Sequence, residues 1–365
     1  MNNWHFARPE LASKLLKIFE VGITSNIALI APRRKGKTLF LLSDLVPEAQ
    51  SHGYIPIYAS LWQNMDSPHE GLIGALEEAI HSISNKSVLK RLFDAKIKKA
   101  TVSNELLGKM DIEFSGSPQK APPDDLMLLD RLIGELVSLA KNKTVLLLVD
   151  EIQHLSTSAS FDPLAHALRT SLDKRQGVVK TVFTGSSRHY MNLLFNESKS
   201  PFYHFVDQVP FPDLEIEFIE FLRKRLHVEY SLSFAISVLR QAFEDFDRSP
   251  YWMMKMISYL VTFENRLKEA VDYTMVVMEA SEGFSELAKS MKPIDMIVYK
   301  ALCENKSPFT EEIFKTVENE TELKGIASNV QRSIARLKKS NIISQAVNRS
   351  YRVEKPGLRK YLEKK

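Results

Sequence analysis

Apolar residues recur along this chain at two periods, and the alternation between them outlines the fold. Pro9 to Val21 carries Leu11, Leu15, Leu16, Ile18 and Phe19 at helical spacing, and Asn26 to Ile30 then reads as a short buried strand. Leu39 to Leu45 predicts a helix that stops at Pro47, and Ile55 to Leu61 predicts a second strand after the Gly53 turn. Helical spacing resumes from Glu70 to Ile83. It continues through Lys86, Lys90, Arg91, Lys96, Lys98 and Lys99, then yields to Ser115-Gly116-Ser117-Pro118 and Pro122-Pro123. Residues 84–124 therefore predict an insertion that ends in a loop. A stripe of Leu128, Leu129, Leu132, Ile133, Leu136 and Leu139 predicts a helix from Asp125 to Ala140. The unbroken run Val145 to Val149 predicts a strand covered on both faces, as in a parallel sheet. A helix from Pro163 to Leu172 and a strand from Val178 to Phe183 follow, and the strand runs into Thr184-Gly185-Ser186-Ser187. Strands alternating with helices predict an α/β three-layer sandwich.

From Leu214 to Leu287 the spacing is helical throughout, broken at Ser249-Pro250 and Gly283, which predicts an all-α lid. Three helices come next, from Pro293 to Glu304, Thr310 to Thr316 and Ser328 to Lys339. Two short strands follow, Ile342 to Val347 and Ser350 to Val353, joined at Asn348-Arg349. Three helices and a hairpin predict a winged helix. The expected domains are 1–212, 213–290 and 291–365.

A chain of 365 residues can bury more than one core, which excludes a small disulfide-held scaffold. The single Cys303 has no partner for an internal bridge and falls within an apolar helical pattern, which suits core filling in a reducing cytosol. No basic-apolar-small leader is expected at the start of the sequence, and an apolar run such as Val145 to Val149, unsurpassed in length here, is far too short to span a bilayer. A cytoplasmic location with no membrane partner is expected. The formal net charge of +4 hides an asymmetry: twelve Lys and Arg face only Glu354 and Glu363 from Lys324 onward, a local +10 against −6 for the rest. A polyanion partner at the C-terminal end is the expectation.

Between the first strand and the next helix lies Ala31-Pro32-Arg33-Arg34-Lys35-Gly36-Lys37-Thr38. Triphosphate binding needs converging backbone N–H groups, a cation, a hydroxyl for Mg²⁺ and a helix N-terminus. This segment offers all four. Pro32, Arg33, Arg34, Lys35, Gly36, Lys37, Thr38 and Leu39 are the candidate ATP contacts, with Lys37 as phosphate cation and Thr38 as metal ligand. Ala31 stands where the G-x-x-x-x-G-K-[ST] pattern has its first Gly, a substitution that costs little if φ there is negative. The strand at 145–149 delivers Asp150 and Glu151 to its C-terminal end, where an open α/β sheet places its ligand. Asp150 can hold Mg²⁺ and Glu151 can polarise an attacking water, which makes an ATPase the expected enzyme. Thr184 or Ser186 can hydrogen-bond the γ-phosphate or that water. A Gly/Ser turn used for geometry alone is the competing reading.

With these elements in place, the chain resembles the AAA+ and STAND group of ATPases, most closely the archaeal-type ATPases related to origin-binding initiators. Phe6-Ala7-Arg8-Pro9-Glu10 partly echoes the group's opening aromatic-Gly-Arg-Glu box. Its Gly-Pro-Arg-Arg-x-Gly-Lys-Thr loop is matched from Pro32 onward, and Asp150-Glu151-Ile152-Gln153 matches its second motif. The resemblance implies a strand order that sets the Thr184 strand between the other two site strands. It also implies a lid turn near the nucleotide, represented here by Arg248-Ser249-Pro250-Tyr251 without the group's Gly, so Pro250 and Arg248 are candidates. An arginine acting from a neighbouring subunit is implied as well, with Arg188, Arg169 and Arg175 as candidates, and with it a homo-oligomer in the ATP state.

A winged helix reads DNA with its third helix and contacts the backbone with its hairpin. Arg332, Arg336, Lys338 and Lys339 on the helix, with Arg349 and Arg352 on the wing, are the candidate contacts to double-stranded DNA. If about five of them neutralise phosphates, log K falls with log salt at a slope of about −4 to −5. Asn329 and Gln331 are the candidate base readers, and the basic stretch within 84–124 offers a second surface whose competing reading is a solvated helix face. The function expected is an ATP-driven switch that couples assembly to DNA binding. The alternative is a STAND-type signalling or scaffold ATPase whose winged helix meets a protein partner. A metabolic kinase is disfavoured, because no acceptor pocket is legible.

Overall fold

The computed structural model describes residues 4–84, 117–263, 266–345, 350–355 and 357–364. Residues 85–116 of the expected insertion, with its basic residues from Lys86 to Lys99, together with Asn348 and Arg349, lie outside the described residues. The chain forms two compact units, Met1–Asp213 and Leu214–Lys365. No helix among the described residues is long and apolar enough to cross a membrane.

The first unit is built on a five-stranded, all-parallel sheet: β1 (Asn26–Ile30), β2 (Ile55–Ser60), β3 (Val145–Asp150), β4 (Val179–Gly185) and β5 (Asp207–Pro210). The strand order is β2-β3-β4-β1-β5, so β4 does lie between the strands that lead to the phosphate loop and to Asp150. Alternate side chains feed two cores. On one face Leu146, Leu148 and Val182 pack with α1 (Pro9–Glu20) and the helical segment that starts at Lys37. On the other, Leu147, Val149 and Phe183 pack with α4 (Pro68–Ser84), α5 (Pro123–Ala140), α6 (Asp162–Asp173) and α7 (Arg188–Phe195). These are the three layers.

The segment after the phosphate loop departs from expectation. Its helix does not stop at Pro47: α2 (Lys37–Phe40) passes through a π-turn at Leu41–Leu45 into α3 (Val46–Ser51), which holds Pro47 in its first turn. The wide turn, in which the Val46 N–H donates to the Leu41 carbonyl, absorbs the clash a proline ring makes with the turn before it. Arg169 and Arg175 are bound within the unit. Arg169 donates to Asp173 and to the carbonyls of Pro201 and Tyr203, and its guanidinium lies 4.6 Å from the Phe205 ring. Arg175 donates to Asp130 at 2.7 Å and to Ser171, and it holds the Asp130 carboxyl well below the usual aspartate range. Both guanidiniums hold the unit together, which counts against either as a group acting on another subunit.

The second unit contains α8 (Ile216–Tyr230), α9 (Ile236–Asp245), α10 (Pro250–Thr262), α11 (Leu267–Ser281) and α12 (Phe284–Ser290). It continues with α13 (Pro293–Cys303), α14 (Glu311–Glu320), α15 (Ala327–Lys339), the antiparallel pair β6 (Ile343–Gln345) and β7 (Tyr351–Val353), and α16 (Gly357–Glu363). The last helix, absent from the pattern reading, docks on α9, α11 and α12. Lys360 meets Asp245 at 2.6 Å, Lys364 meets Glu279 at 2.6 Å, Lys355 meets Glu282 at 3.3 Å, and the Gly357 N–H donates to Asp247 at 2.9 Å. Arg359 pairs with Glu304 and Glu363. Much of the basic excess is thus committed inside the unit.

The same holds for Arg336, expected from the sequence as a DNA contact, which is engaged inside the unit. Its guanidinium grips the buried Asp295 carboxylate through Nε (3.1 and 3.2 Å) and Nη2 (2.6 Å), joining α15 to α13. Burial raises the Asp295 pKa, but the Arg336 hydrogen bonds and the Lys292 N–H outweigh it and leave the carboxyl below its ordinary value. A depressed folded pKa contributes stability above the unfolded value, and that contribution is lost as pH falls through the folded one. Arg336→Met should therefore weaken hydrogen-exchange protection of the Pro293–Cys303 amides by about 2 kcal/mol at pH 7. The gap should narrow below about pH 4. An equal gap at pH 7 and pH 3 would contradict the assignment.

Candidate functional site

The site forms where β1, β3 and β4 end. From Ile30 the chain turns through Ala31 to Gly36 and enters α2 at Lys37. Arg34 (φ 64°) and Gly36 (φ 86°) are left-handed while Lys35 between them is not, an alternation that points successive N–H groups into one concavity. Ala31 does not have positive φ, so the alanine in place of glycine carries no backbone strain. It is buried, and its N–H donates to the Gly185 carbonyl. Arg34 is the strained residue of the loop, since left-handed backbone costs an L-residue about 1–2 kcal/mol.

Lys37 is buried, and its Nζ donates to the carbonyls of Ala31 (2.6 Å) and Pro32 (2.8 Å). Burial pulls its pKa below the usual lysine value, opposed by the charges of Glu151 and Asp150. One residue on, Thr38 Oγ1 donates to Asp150 Oδ2 at 2.6 Å. Asp150 is itself buried and collects three further donors: Tyr58 OH on Oδ2 (3.0 Å), and the Thr184 hydroxyl and the Glu151 N–H (3.1 Å) on Oδ1. Glu151 is left-handed (φ 59°), and its Oε2 accepts from Ser186 Oγ at 2.7 Å and from the Gln153 amide. Burial and the neighbouring Asp150 charge raise its pKa, against Lys37, Gln153 and Ser186. The two hydroxyls left open by the sequence thus both point inward, Thr184 to Asp150 and Ser186 to Glu151.

The remaining candidates fall at different places. Arg33 stacks over Trp62 with its guanidinium 4.7 Å from the ring, and Lys35 pairs with Asp213 at 2.9 Å. Leu39 is half-buried in the first turn of α2. Arg8 donates to the Pro212 carbonyl and lies 4.2 Å from the Phe211 ring, and burial lowers its pKa to about 10. Arg188 opens α7 directly after Ser187, whose side chain caps that helix. In the second unit Pro250 opens α10 behind the Ser249 cap, and Arg248 (φ 52°) pairs with Glu244. Arg248 thus adopts, without being glycine, the backbone geometry that favours one. Tyr58, Trp62 and the amide of Gln153 were not assigned roles from the sequence. A tyrosine inside a strand is ordinary core, and nothing in its spacing marks it.

The donor set fits a magnesium nucleotide. No group of three or more His, Cys, Asp or Glu capable of holding a metal occurs among the described residues. Mg²⁺ needs no such cage, because it binds through one or two carboxylates together with substrate phosphates and water. A hydroxyl and a carboxylate 2.6 Å apart beside an anion-binding loop meet that requirement.

No protein-family model matches the chain, and no curated protein matches it in sequence. Its fold is that of solved P-loop ATPases. The Walker-type ATPase paby2304 of Pyrococcus abyssi is similar over 98% of this chain and 96% of its own, with a TM-score of 0.62 at 18% identity. The ORC2 protein of Aeropyrum pernix is similar in its ADPNP–ADP complexes over 97% of this chain and 91% of its own, at 12% identity and a TM-score of 0.54. Its ADP form gives 13% identity and a TM-score of 0.55, over 95% of this chain and 88% of its own. At these identities the likeness is one of fold.

Gly185 separates the two inward hydroxyls. A Cβ there would strike Met191 and come within 2.7 Å of Gln153 Oε1. Gly185→Ala should lower thermal stability by about 1–3 kcal/mol through forced displacement of these side chains. An unchanged melting temperature would mean that the β4 end is less tightly packed than described.

Proposed function

We propose that the protein binds and hydrolyses ATP with Mg²⁺ at the β1–α2 loop, and that nucleotide state controls its assembly and its binding of double-stranded DNA. The observation that carries the first half is the Thr38–Asp150–Thr184 cluster set against Lys37, whose ammonium is held only by two loop carbonyls in the contacts described above. Phosphate oxygens are better acceptors for a buried ammonium than neutral carbonyls, so Lys37 exchanges those carbonyls for the β- and γ-phosphates. The N–H groups of 32–38 cradle the phosphates at the start of α2. Thr38 and Asp150 would hold Mg²⁺, which would supply positive charge against the phosphates. Glu151, its basicity raised by burial, accepts the proton of the attacking water. Ser186 and Gln153 orient it, and Thr184 fixes the Asp150 carboxylate that lies against it. Arg188 is the remaining candidate for action on a neighbouring copy, and Pro250 with Arg248 for the lid turn.

The DNA reading rests on the three helices and β-pair of the second unit, taken as a winged helix with 213–290 as the lid. α15 buries Val330, Ser333, Ile334 and Leu337 and leaves Arg332 and Lys339 exposed, as is Arg352 on β7. Lys338 is half-buried and bonds Gln345, and Asn329 bonds the Lys324 carbonyl. With Arg336 engaged by Asp295 and Arg349 outside the described residues, Arg332, Lys338, Lys339 and Arg352 predict a salt slope of about −3 to −4. A second reading has a specific observation in its favour. Internal pairing of Arg336, Lys355, Arg359, Lys360 and Lys364 leaves less free charge than the sequence suggests, and this suits a winged helix that meets a protein partner.

Lys37→Ala should abolish ATP binding in calorimetry, and retained binding would overturn the site. Glu151→Gln should keep ATP while slowing its cleavage by at least about 100-fold. For DNA, affinity for a duplex measured across salt should follow the slope above, and joint replacement of Arg332, Lys339 and Arg352 by Ala should flatten it by about three units of slope. Negligible affinity at physiological salt would favour the protein-binding reading.

A further inference from the structure

Asp150 draws donors from α2, β4 and β2, and the β2 donor belongs to none of the motifs that define the site. Tyr58 stands two residues before the end of β2, where the parallel register pairs Tyr58 with Leu148 and Ser60 with Asp150. Its ring therefore lies on the face of the sheet that Leu148 shares, packed against the core formed with Phe40, Leu41 and Leu45. Along that face its hydroxyl reaches Asp150 Oδ2 at 3.0 Å, the oxygen that also accepts from Thr38 Oγ1 at 2.6 Å. Phenylalanine would fill the same space. Tyr58 is half-buried against this apolar core, where a hydroxyl is unfavourable unless it finds a partner, so its presence marks a contact the site uses.

The contact acts on orientation. The last torsion of an aspartate is broad and roughly two-fold, so a carboxylate held on one oxygen alone can swing. Thr184 and the Glu151 N–H fix Oδ1, while Thr38 and Tyr58 fix Oδ2. Thr38 is the less constant member of that second pair, because its hydroxyl must also serve the metal. Tyr58 sits on a strand, whereas Thr38 directly follows the loop proposed to receive phosphate.

We propose that Tyr58 is a positioning residue for the metal: it fixes the plane of Asp150, so that Thr38 and Asp150 present a preformed pair of oxygens to the divalent cation of a bound nucleotide. It touches neither nucleotide nor metal and acts through Asp150. The inference rests on the reading of this site as a magnesium nucleotide site, and its failure can be told apart from the failure of that reading.

The test is titration of Mn²⁺, read by electron paramagnetic resonance, into the full chain saturated with ADP. Wild type, Tyr58→Phe and Tyr58→Leu are compared, with ADP affinity in EDTA and melting temperature measured beside it. Outer partners of metal ligands typically contribute 10–100-fold to metal affinity. Tyr58→Phe should therefore weaken Mn²⁺ by about 10-fold or more, while metal-free ADP affinity changes by no more than about twofold. Tyr58→Leu should lose stability in addition and show the same metal defect. Mn²⁺ affinity in Tyr58→Phe equal to wild type would overturn the inference and leave the nucleotide site standing. A wild-type protein that holds ADP but no Mn²⁺ would overturn both. A metal defect in Tyr58→Leu alone would assign Tyr58 to packing and overturn the positioning role.

Discussion

A carboxylate at the end of a wholly buried strand is the constraint around which the first unit is arranged. Every residue of β3 is buried, Asp150 included, and a charge in that position is tolerated only with donors on both oxygens. The chain supplies them from three directions: Thr38 at the head of α2, Tyr58 on β2 and Thr184 on β4, with the Glu151 N–H as the fourth. Each side-chain hydrogen bond therefore fixes a different element against the same strand end. All four donors are neutral, so they orient the carboxylate without cancelling its charge. It stays available to a cation, and Lys37 and Glu151 both respond to it electrostatically.

Much of this was legible because the relevant signals are local. Val145 to Val149 reads as a two-faced strand from its composition, and the Arg33 to Thr38 run announces an anion loop from residue types in sequence. What escaped was set by tertiary context. The helix through Pro47 survives because a π-turn opens one turn earlier, and no residue in Leu41–Leu45 signals it. The edge strand Asp207–Pro210 is short, polar and closed by proline, so it lacks both the alternation and the apolar run that mark strands. Ala31 looked like the weakest fit to the loop pattern, yet its φ is not positive and the strain falls on Arg34. A pattern records which residue type is usual at a position and is silent about which positions are left-handed.

Charge was the least legible property, since a count of basic residues says nothing of what faces them. The +10 of the last stretch reads as a surface for a polyanion until α16 is placed. Then Lys355, Lys360 and Lys364 are found against Glu282, Asp245 and Glu279, and Arg336 is locked on Asp295. These pairs bind the C-terminal elements to the helical array of the same unit, and the Gly357 N–H reaches Asp247, next to the Arg248-Ser249-Pro250 turn. At these pairs the basic tail and the acidic body inferred from the sequence are opposite sides of a single internal contact.

In the proposed site, main-chain oxygens hold the buried ammonium of Lys37 until phosphate replaces them. The most direct test is a crystal structure with Mg²⁺ and a non-hydrolysable ATP analogue. Lys37 Nζ should leave the Ala31 and Pro32 carbonyls for the β- and γ-phosphates, with the metal beside Thr38 and Asp150. A bound analogue with both carbonyl hydrogen bonds intact, or with its phosphates away from residues 32–38, would contradict it.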